Sequence, residues 1–164
     1  MPVVGELLRN GVAKATLYHA FGNKDGLIRA YLRARHDATS EKMSRELEAR
    51  YETPRERLVG AFEVQGLAFT DPDFRGCAFI SASADAPAGG VVDEETTDYR
   101  AWLHNLFFDL AGQAGATSPR QLAQQLVLLY DGAGISAWMD RDLSAESAAR
   151  SMAAVVVDAA IPEG

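Results

Sequence analysis

A short segment near the N-terminus carries the side chains best suited to contact a charged partner. Lys14 and Tyr18 stand four residues apart, as do Ala15 and His19, so these residues share one face of a short helix. That face is small, polar and basic, and nothing bulky on it would block entry into the major groove of DNA. A short helix, a turn at Gly11 and a second short helix also form plain helical corners, and spacing alone leaves both interpretations open.

Asn23 and Lys24 follow this segment and open the next predicted helix. Asparagine is a favoured N-cap, because its side-chain oxygen accepts from a free backbone N–H. The remaining N–H groups of a first helical turn, together with a lysine ammonium, attract a phosphate oxygen. The helix start at Lys24 is therefore a candidate phosphate contact.

Charge is distributed unevenly along the 164 residues, whose net charge is −7. Residues 1–36 contain six Lys and Arg against two Asp and Glu, a net +4, which leaves −11 for residues 37–164. This asymmetry predicts a basic head, residues 1–36, on an acidic body, residues 37–164. A chance cluster of solvated charges would give the same numbers.

The chain is predicted to be all-α, because apolar residues recur at helical spacing and hairpin signals are almost absent. The predicted helices cover 3–9, 13–20, 24–50, 54–70, 91–114, 119–139 and 145–160, with a weaker segment over 74–85 and a loop over 86–90. Capping boxes are predicted at Thr53 and Ser118, each followed by a proline. Asn23 and Ser144 are the predicted caps of two further helices.

Aromatic side chains are concentrated between residues 54 and 114. Core packing is the commoner role of any one of them. The functional interpretation is a largely apolar cavity between helices, closed by a few polar groups and suited to an apolar or aromatic small molecule. The candidate ligand contacts are Phe62, Gln65, Phe69, Phe79, Tyr99 and Trp102.

The last two predicted helices are suited to dimerisation. Two such helices from each of two subunits form a four-helix bundle, so we expect a homodimer through residues 119–139 and 145–160. Burial within the chain itself is the other interpretation of the same apolar faces. The faces consist of Leu122, Leu126, Leu129, Ala133, Ala137 and Trp138 in the first helix, and Met152, Val155, Val156 and Ala159 in the second.

Sequence signals for catalysis, metals and membranes are lacking. The three histidines are far apart and have no cysteine or carboxylate partner one turn away, so we expect no metal site. No nucleophile elbow or phosphate-binding glycine loop is present, so we expect no enzyme and no cofactor. A single cysteine, no long apolar run and no signal peptide predict a cytoplasmic chain that does not enter a membrane.

The segment around the candidate recognition helix resembles the signature of the tetracycline-repressor (TetR-type) family of transcriptional regulators. The matching residues are Gly11-Val12-Ala13-Lys14-Ala15-Thr16-Leu17-Tyr18-His19, Phe21 and Asn23-Lys24-Asp25-Gly26-Leu27. The resemblance implies an all-helical homodimer with a helix-turn-helix head on a body that binds a small molecule and lowers DNA affinity. It implies phosphate contacts from Tyr18, His19 and Lys24, with Lys14 and Thr16 nearest the bases.

The start of the chain departs from this pattern, because the family has a further helix before the segment at 3–9. We expect that first helix to be absent from residues 1–36. The predicted function is a ligand-responsive DNA-binding regulator, a repressor released from its operator by a small molecule. The alternative is a dimeric small-molecule-binding or interaction protein that has lost DNA binding through N-terminal truncation. Neither the effector nor the operator is identified by the sequence.

Overall fold

A computed structural model describes residues 20–84 and 86–162 of the chain. These residues contain six α-helices and no strand, which confirms the all-α prediction. The helices are α1 (Lys24–Arg50), α2 (Pro54–Phe69), α3 (Ala78–Ser83), α4 (Val91–Gln113), α5 (Pro119–Met139) and α6 (Ala145–Ala160). The predicted helices over 3–9 and 13–20 lie outside the described residues, apart from Ala20.

Two helix starts form the caps that their residues predict. The Thr53 hydroxyl accepts from the Glu56 N–H at 3.2 Å, and the Glu56 carboxylate accepts from the Thr53 N–H at 2.9 Å, which completes a capping box. The Asn23 Oδ1 accepts from the Gly26 N–H at 2.8 Å. Local sequence therefore sets the first turns of α1 and α2.

The two predicted serine caps are wrong. Ser118 makes no side-chain cap, because its backbone at φ −136° and ψ 83° does not direct the hydroxyl towards the free N–H groups. Ser144 has a helical backbone, and its hydroxyl donates to Asp142 at 2.8 Å instead. A nearby carboxylate has displaced the backbone as the serine's partner.

The weak segment over 74–85 is helical only within α3. Gly76 has a positive φ of 78°, so the chain turns there and cannot continue a helix through it. A Cβ at Gly76 would lie 3.0 Å from the Trp138 ring, so the indole packs directly against this backbone. The turn thus needs glycine for both its conformation and its packing.

The described residues divide into two compact units, and α1 and α4 each contribute a segment to both. We call them the cleft unit, residues 20–40 with Cys77–Arg100, and the core unit, residues 41–76 with 101–162. The predicted head and body, residues 1–36 and 37–164, are functional divisions and stay predictions.

The core unit is organised around buried rings and leucines. The Phe62 ring lies 6.1 Å from Phe107 and 6.2 Å from Tyr130, and Phe62 is wholly buried. Leu126 and Leu103 are wholly buried in the same cluster. The cluster draws on every helix that contributes to this unit, so its packing fixes the arrangement of those helices.

The α5 face that we assigned to a dimer seam largely packs inside the chain, which corrects that prediction. Leu122, Leu126, Ala133 and Ala137 are all buried in the core of their own unit. The set of apolar residues that is exposed on α5 and α6 contains Trp138, Met152 and Val155 of the predicted faces and three residues outside those faces. This set consists of Leu128, Ile135, Trp138, Met139, Met152 and Val155.

Candidate functional site

An open cleft of about 400 Å³ lies beside α3 and α4 within the cleft unit. Two predicted ligand contacts, Phe79 and Tyr99, line this cleft together. The remaining lining residues are Cys77, Ile80, Ser83, Ala84, Thr96 and Arg100.

A stacked aromatic pair forms one wall of the cleft. The Phe79 and Tyr99 rings lie 4.2 Å apart and almost parallel, at 5°. His36 of α1 meets both rings edge-on, with centroids 5.6 Å from Tyr99 and 6.5 Å from Phe79. Offset stacks and edge-to-face contacts are the favoured geometries of aromatic groups. The wall is therefore well fixed, and it includes a residue from the helix that begins at Lys24.

The polar groups of the cleft are few. The Ser83 and Thr96 hydroxyls lie 3.2 Å apart and hydrogen-bond to each other. Among the described residues that line the cleft, Arg100 is the one with a formal charge. A largely apolar wall with one cationic group is suited to a flat apolar molecule that carries a negative charge.

The other four candidate contacts belong to the core unit. Phe62 fills the core as described above, and Phe69 packs on Phe74 with centroids 5.2 Å apart. Trp102 is half-buried against the same core. These packing contacts account for the three aromatic rings, and their role as ligand contacts stays a prediction.

Gln65 has an unusual hydrogen-bond pattern. Its Nε2 donates to the Tyr130 carbonyl at 2.8 Å, which fixes the orientation of the amide because the flipped form would set two oxygens against each other. Its Oε1 is buried and has no hydrogen-bond partner. An unpaired buried acceptor costs about 1–3 kcal/mol. A ligand N–H or O–H is one group that would satisfy it.

The start of α1 presents Lys24 to solvent. Lys24 is exposed at the first position of the helix, next to the Asn23 cap. Gly22 before it has a positive φ of 79°, and a Cβ on Gly26 would overlap the Phe21 carbonyl oxygen. The two glycines therefore allow a tight reversal that brings residue 21 against the first turn of α1. The other predicted DNA contacts, Lys14, Thr16, Tyr18 and His19, lie outside the described residues.

An ion-pair cluster in the cleft unit was missed by the sequence analysis. Glu95 of α4 is only 4% exposed, and both of its carboxylate oxygens accept from the Arg33 Nε at 3.1 Å. The Arg29 Nε lies 3.3 Å from Glu95, and its Nη2 lies 2.6 Å from Glu94. The four-residue spacing of the arginines was a visible signal, but their partners lie more than 60 residues away in sequence.

Within residues 20–84 and 86–162, no group of three His, Cys, Asp or Glu side chains is placed to hold a metal ion. None of the helices in that same part of the chain combines the length and the apolar character of a membrane span.

Comparison with solved structures relates this arrangement to known proteins. SCO4454, a TetR-family transcriptional regulator from Streptomyces coelicolor, superposes with a TM-score of 0.82 at 23% identity, over 93% of this chain and 80% of that chain. A protein of Streptomyces avermitilis assigned to the TetR transcriptional regulators (sav143) gives a TM-score of 0.77 at 28% identity, over 92% and 81% of the two chains.

The chain has the fold of the TetR family. A TetR transcription regulator from Haloarcula marismortui also matches, with a TM-score of 0.76 at 17% identity, over 93% of this chain and 82% of that one. No protein-family model matches the chain, and no curated protein does. The resemblance given by residues 11–27 is thus confirmed at the level of the TetR fold.

Proposed function

We propose that the chain is a transcription regulator that binds double-stranded DNA as a homodimer and responds to a small molecule. The observation that carries the proposal is the TetR fold, which extends over 92% or more of the chain in the matches given above. Residues 1–36 act as the DNA-binding head and residues 37–164 as the body that binds effector and partner. Effector binding releases the operator, so the output is repression.

The proposed DNA surface combines Lys24 with four residues of the predicted recognition helix, Lys14, Thr16, Tyr18 and His19. The exposed position of Lys24 at a helix start supports its role as a phosphate contact. A phosphate contact contributes to affinity for every sequence and makes binding weaker as salt rises.

The proposed dimer seam uses the outward faces of α5 and α6, which pack against each other. Leu128, Ile135 and Met139 are exposed at helical spacing on α5, as are Met152 and Val155 on α6. Such an apolar stripe on adjacent helices is covered in a four-helix bundle formed with a second copy.

The proposed effector site is the cleft with the Phe79–Tyr99 wall. Its apolar lining and Arg100 favour a flat aromatic molecule with a carboxylate or sulfonate group. Gln65 of the core unit is a separate candidate contact, and its unpaired Oε1 would accept a hydrogen bond from a small-molecule N–H or O–H.

A salt titration tests the proposal as a whole. Binding to a duplex from the chain's own promoter region is followed by fluorescence anisotropy at several salt concentrations. We expect Lys24→Gln to weaken binding. The slope of log affinity against log salt concentration should become shallower by about one, which corresponds to one lost phosphate contact. Lys42→Gln, the same change further along α1, serves as the control and leaves the slope unchanged. Binding that is absent or independent of salt contradicts the proposal and favours the small-molecule-binding or interaction protein.

Light scattering tests the dimer. Leu128→Glu places a charge in the proposed seam, and we expect the dissociation constant of the dimer to rise by about tenfold or more. Asn105→Glu adds the same charge at an exposed polar position of α4, outside the proposed seam, and should leave the mass unchanged. A monomeric mass for the unaltered chain at micromolar concentration would refute the dimer.

An aromatic anion tests the cleft. We expect saturable binding of anilinonaphthalene sulfonate, weakened by Arg100→Gln, because the guanidinium then no longer attracts the sulfonate. Arg120→Gln removes an exposed arginine of α5 and is the matched control. Equal affinity in the two variants contradicts the assignment of the cleft.

A further inference from the structure

The ion-pair cluster around Glu95 joins two helices of the cleft unit. Glu95 is almost fully buried, yet it holds a formal negative charge against Arg29 and Arg33 of α1. A buried carboxylate is unfavourable unless it is paired and hydrogen-bonded, and both of its oxygens accept from Arg33 here. The pairing therefore favours one alignment of α1 on α4.

The position of Glu95 relates it to the cleft. It directly precedes Thr96 and stands about one helical turn before Tyr99, and both of those residues line the cleft. Tyr99 also meets His36, so α1 and the cleft wall touch at a second point. A displacement of this part of α4 would therefore change the ion pairs that Glu95 makes with Arg29 and Arg33 of α1.

The position of the arginines relates them to the proposed DNA surface. Arg29 and Arg33 lie on α1 between Lys24 and His36, all within the cleft unit. An α-helix is rigid over this distance, so the alignment fixed at Arg29 and Arg33 also fixes the direction of the helix start at Lys24. A dimeric regulator requires that direction, because its two heads must match half-sites spaced by whole turns of the duplex.

We propose that Glu95 is a positioning residue, through which the cleft sets the orientation of the helix start that carries Lys24. The inference rests on the DNA binding proposed above. With the cluster intact, the start of α1 keeps the orientation that DNA binding requires. With the cluster broken, the start of α1 is free to move, and DNA binding has to order it again at a cost in affinity.

DNA affinity of the full chain is the first measurement, by anisotropy on the promoter duplex. We expect Glu95→Gln to weaken binding about five- to tenfold. Asp98→Asn is the matched control, because it removes one negative charge from an exposed position of the same helix. The control should bind as tightly as the unaltered chain or slightly more so, since less negative charge repels DNA less.

A double-mutant cycle separates pairing from general damage to the fold. Arg33→Gln leaves Glu95 with its ion pair to Arg29, and we expect it to weaken DNA binding as Glu95→Gln does. If Arg33 and Glu95 act as a pair, the double variant loses less affinity than the two single losses combined. Additive losses would overturn the inference.

Hydrogen exchange gives a measurement that a purely structural role would not produce. In Glu95→Gln we expect faster amide exchange in the first turns of α1 and unchanged exchange in α5, which belongs to the core unit. Faster exchange throughout the chain would mean that Glu95 only stabilises the fold, and would overturn the inference.

The two proposals fail in different ways. If the unaltered chain shows no salt-dependent DNA binding, the proposed function fails, and the exchange experiment still tests whether Glu95 orders α1. If the unaltered chain binds DNA and Glu95→Gln binds equally well, the proposed function stands and the role of Glu95 is refuted.

Discussion

Ion pairs and an edge-on contact of His36 with Tyr99 join α1 to α4 in the cleft unit, whereas buried apolar side chains hold the helices of the core unit together. Of the described residues, seven buried apolar side chains belong to the cleft unit and twenty-three to the core unit. The single buried charged residue of that same set, Glu95, lies in the cleft unit. Dense apolar packing resists small displacements, whereas each ion pair of Glu95 joins one buried carboxylate to a partly exposed arginine.

This difference indicates that the two units have different roles, stability in the core unit and response to a ligand in the cleft unit. The core unit supplies most of the stability of the chain, because apolar burial is the dominant favourable term in folding. The cleft unit contains the proposed effector wall, the ion-pair cluster and the helix start at Lys24. A region that must respond to a ligand is expected to have the lower local stability. The predictions below test whether the two units have these different roles.

The largest expected effect is on the core unit. Phe62→Ala removes a wholly buried ring and should lower the free energy of unfolding by about 3–5 kcal/mol, because a cavity replaces the ring. Urea or thermal unfolding measures this loss. Leu67→Ala, on the exposed side of the same helix, should cost far less. Loss of probe binding at a temperature where the variant is still folded would show that Phe62 is a ligand contact as well.

An intermediate effect is expected at the start of α1. Gly26→Ala forces a Cβ against the Phe21 carbonyl oxygen, and relieving this overlap should cost about 1–3 kcal/mol locally. We expect faster amide exchange in the first turns of α1 and weaker DNA binding, with little change in the core unit. Gly112→Ala, a helical position with open space around it, is the control and should be neutral or stabilising. Slower exchange at α1 in Gly26→Ala would contradict the close approach.

The smallest effect concerns the first turn of α2. Thr53→Ala removes the capping hydroxyl and should cost about 1 kcal/mol. Ser118→Ala is the matched control on α5, and we expect almost no change because that serine makes no cap. Chemical unfolding of both variants compares the two helix starts directly. Similar losses at both positions would contradict the difference between the caps.

The contribution of the Thr53–Glu56 capping box to folding stability depends on pH. Hydrogen bonds from the Thr53 backbone and side chain lower the pKa of Glu56 below its ordinary 4.5. A lowered carboxyl pKa stabilises the folded state above the unfolded pKa, and the contribution is lost as pH falls through the folded value. Glu56→Gln should therefore reduce the loss of stability below about pH 4.5. An unchanged acid dependence in the variant would refute this role.

Much of the fold could be predicted from the sequence. The bounds of α1, α5 and α6 agree with the predicted helices over 24–50, 119–139 and 145–160. The Thr53 box and the Asn23 cap are also confirmed. These features depend on groups within a few residues of each other, so the local sequence contains the information.

The failures have two causes, which are competition from a neighbouring group in the sequence and packing partners that are far away in the sequence. Ser144 donates to Asp142 rather than capping, and Gly76 shortens α3 where the Trp138 ring packs on the turn. The apolar periodicity of α5 was real, but a helix with apolar residues on two sides does not reveal which side faces its own core. Leu126 lies inward and Leu128 outward.

For this protein, the sequence alone determined the helical class, the positions of most helices and the resemblance of residues 11–27 to TetR regulators. Only the tertiary structure decided that Phe79 and Tyr99 stack, that Gln65 keeps an unpaired oxygen and that Glu95 is buried between two arginines. The physical reason is distance along the chain. Helix formation and capping act over three or four residues, whereas a buried charge finds its partners through the packing of helices that are far apart in sequence.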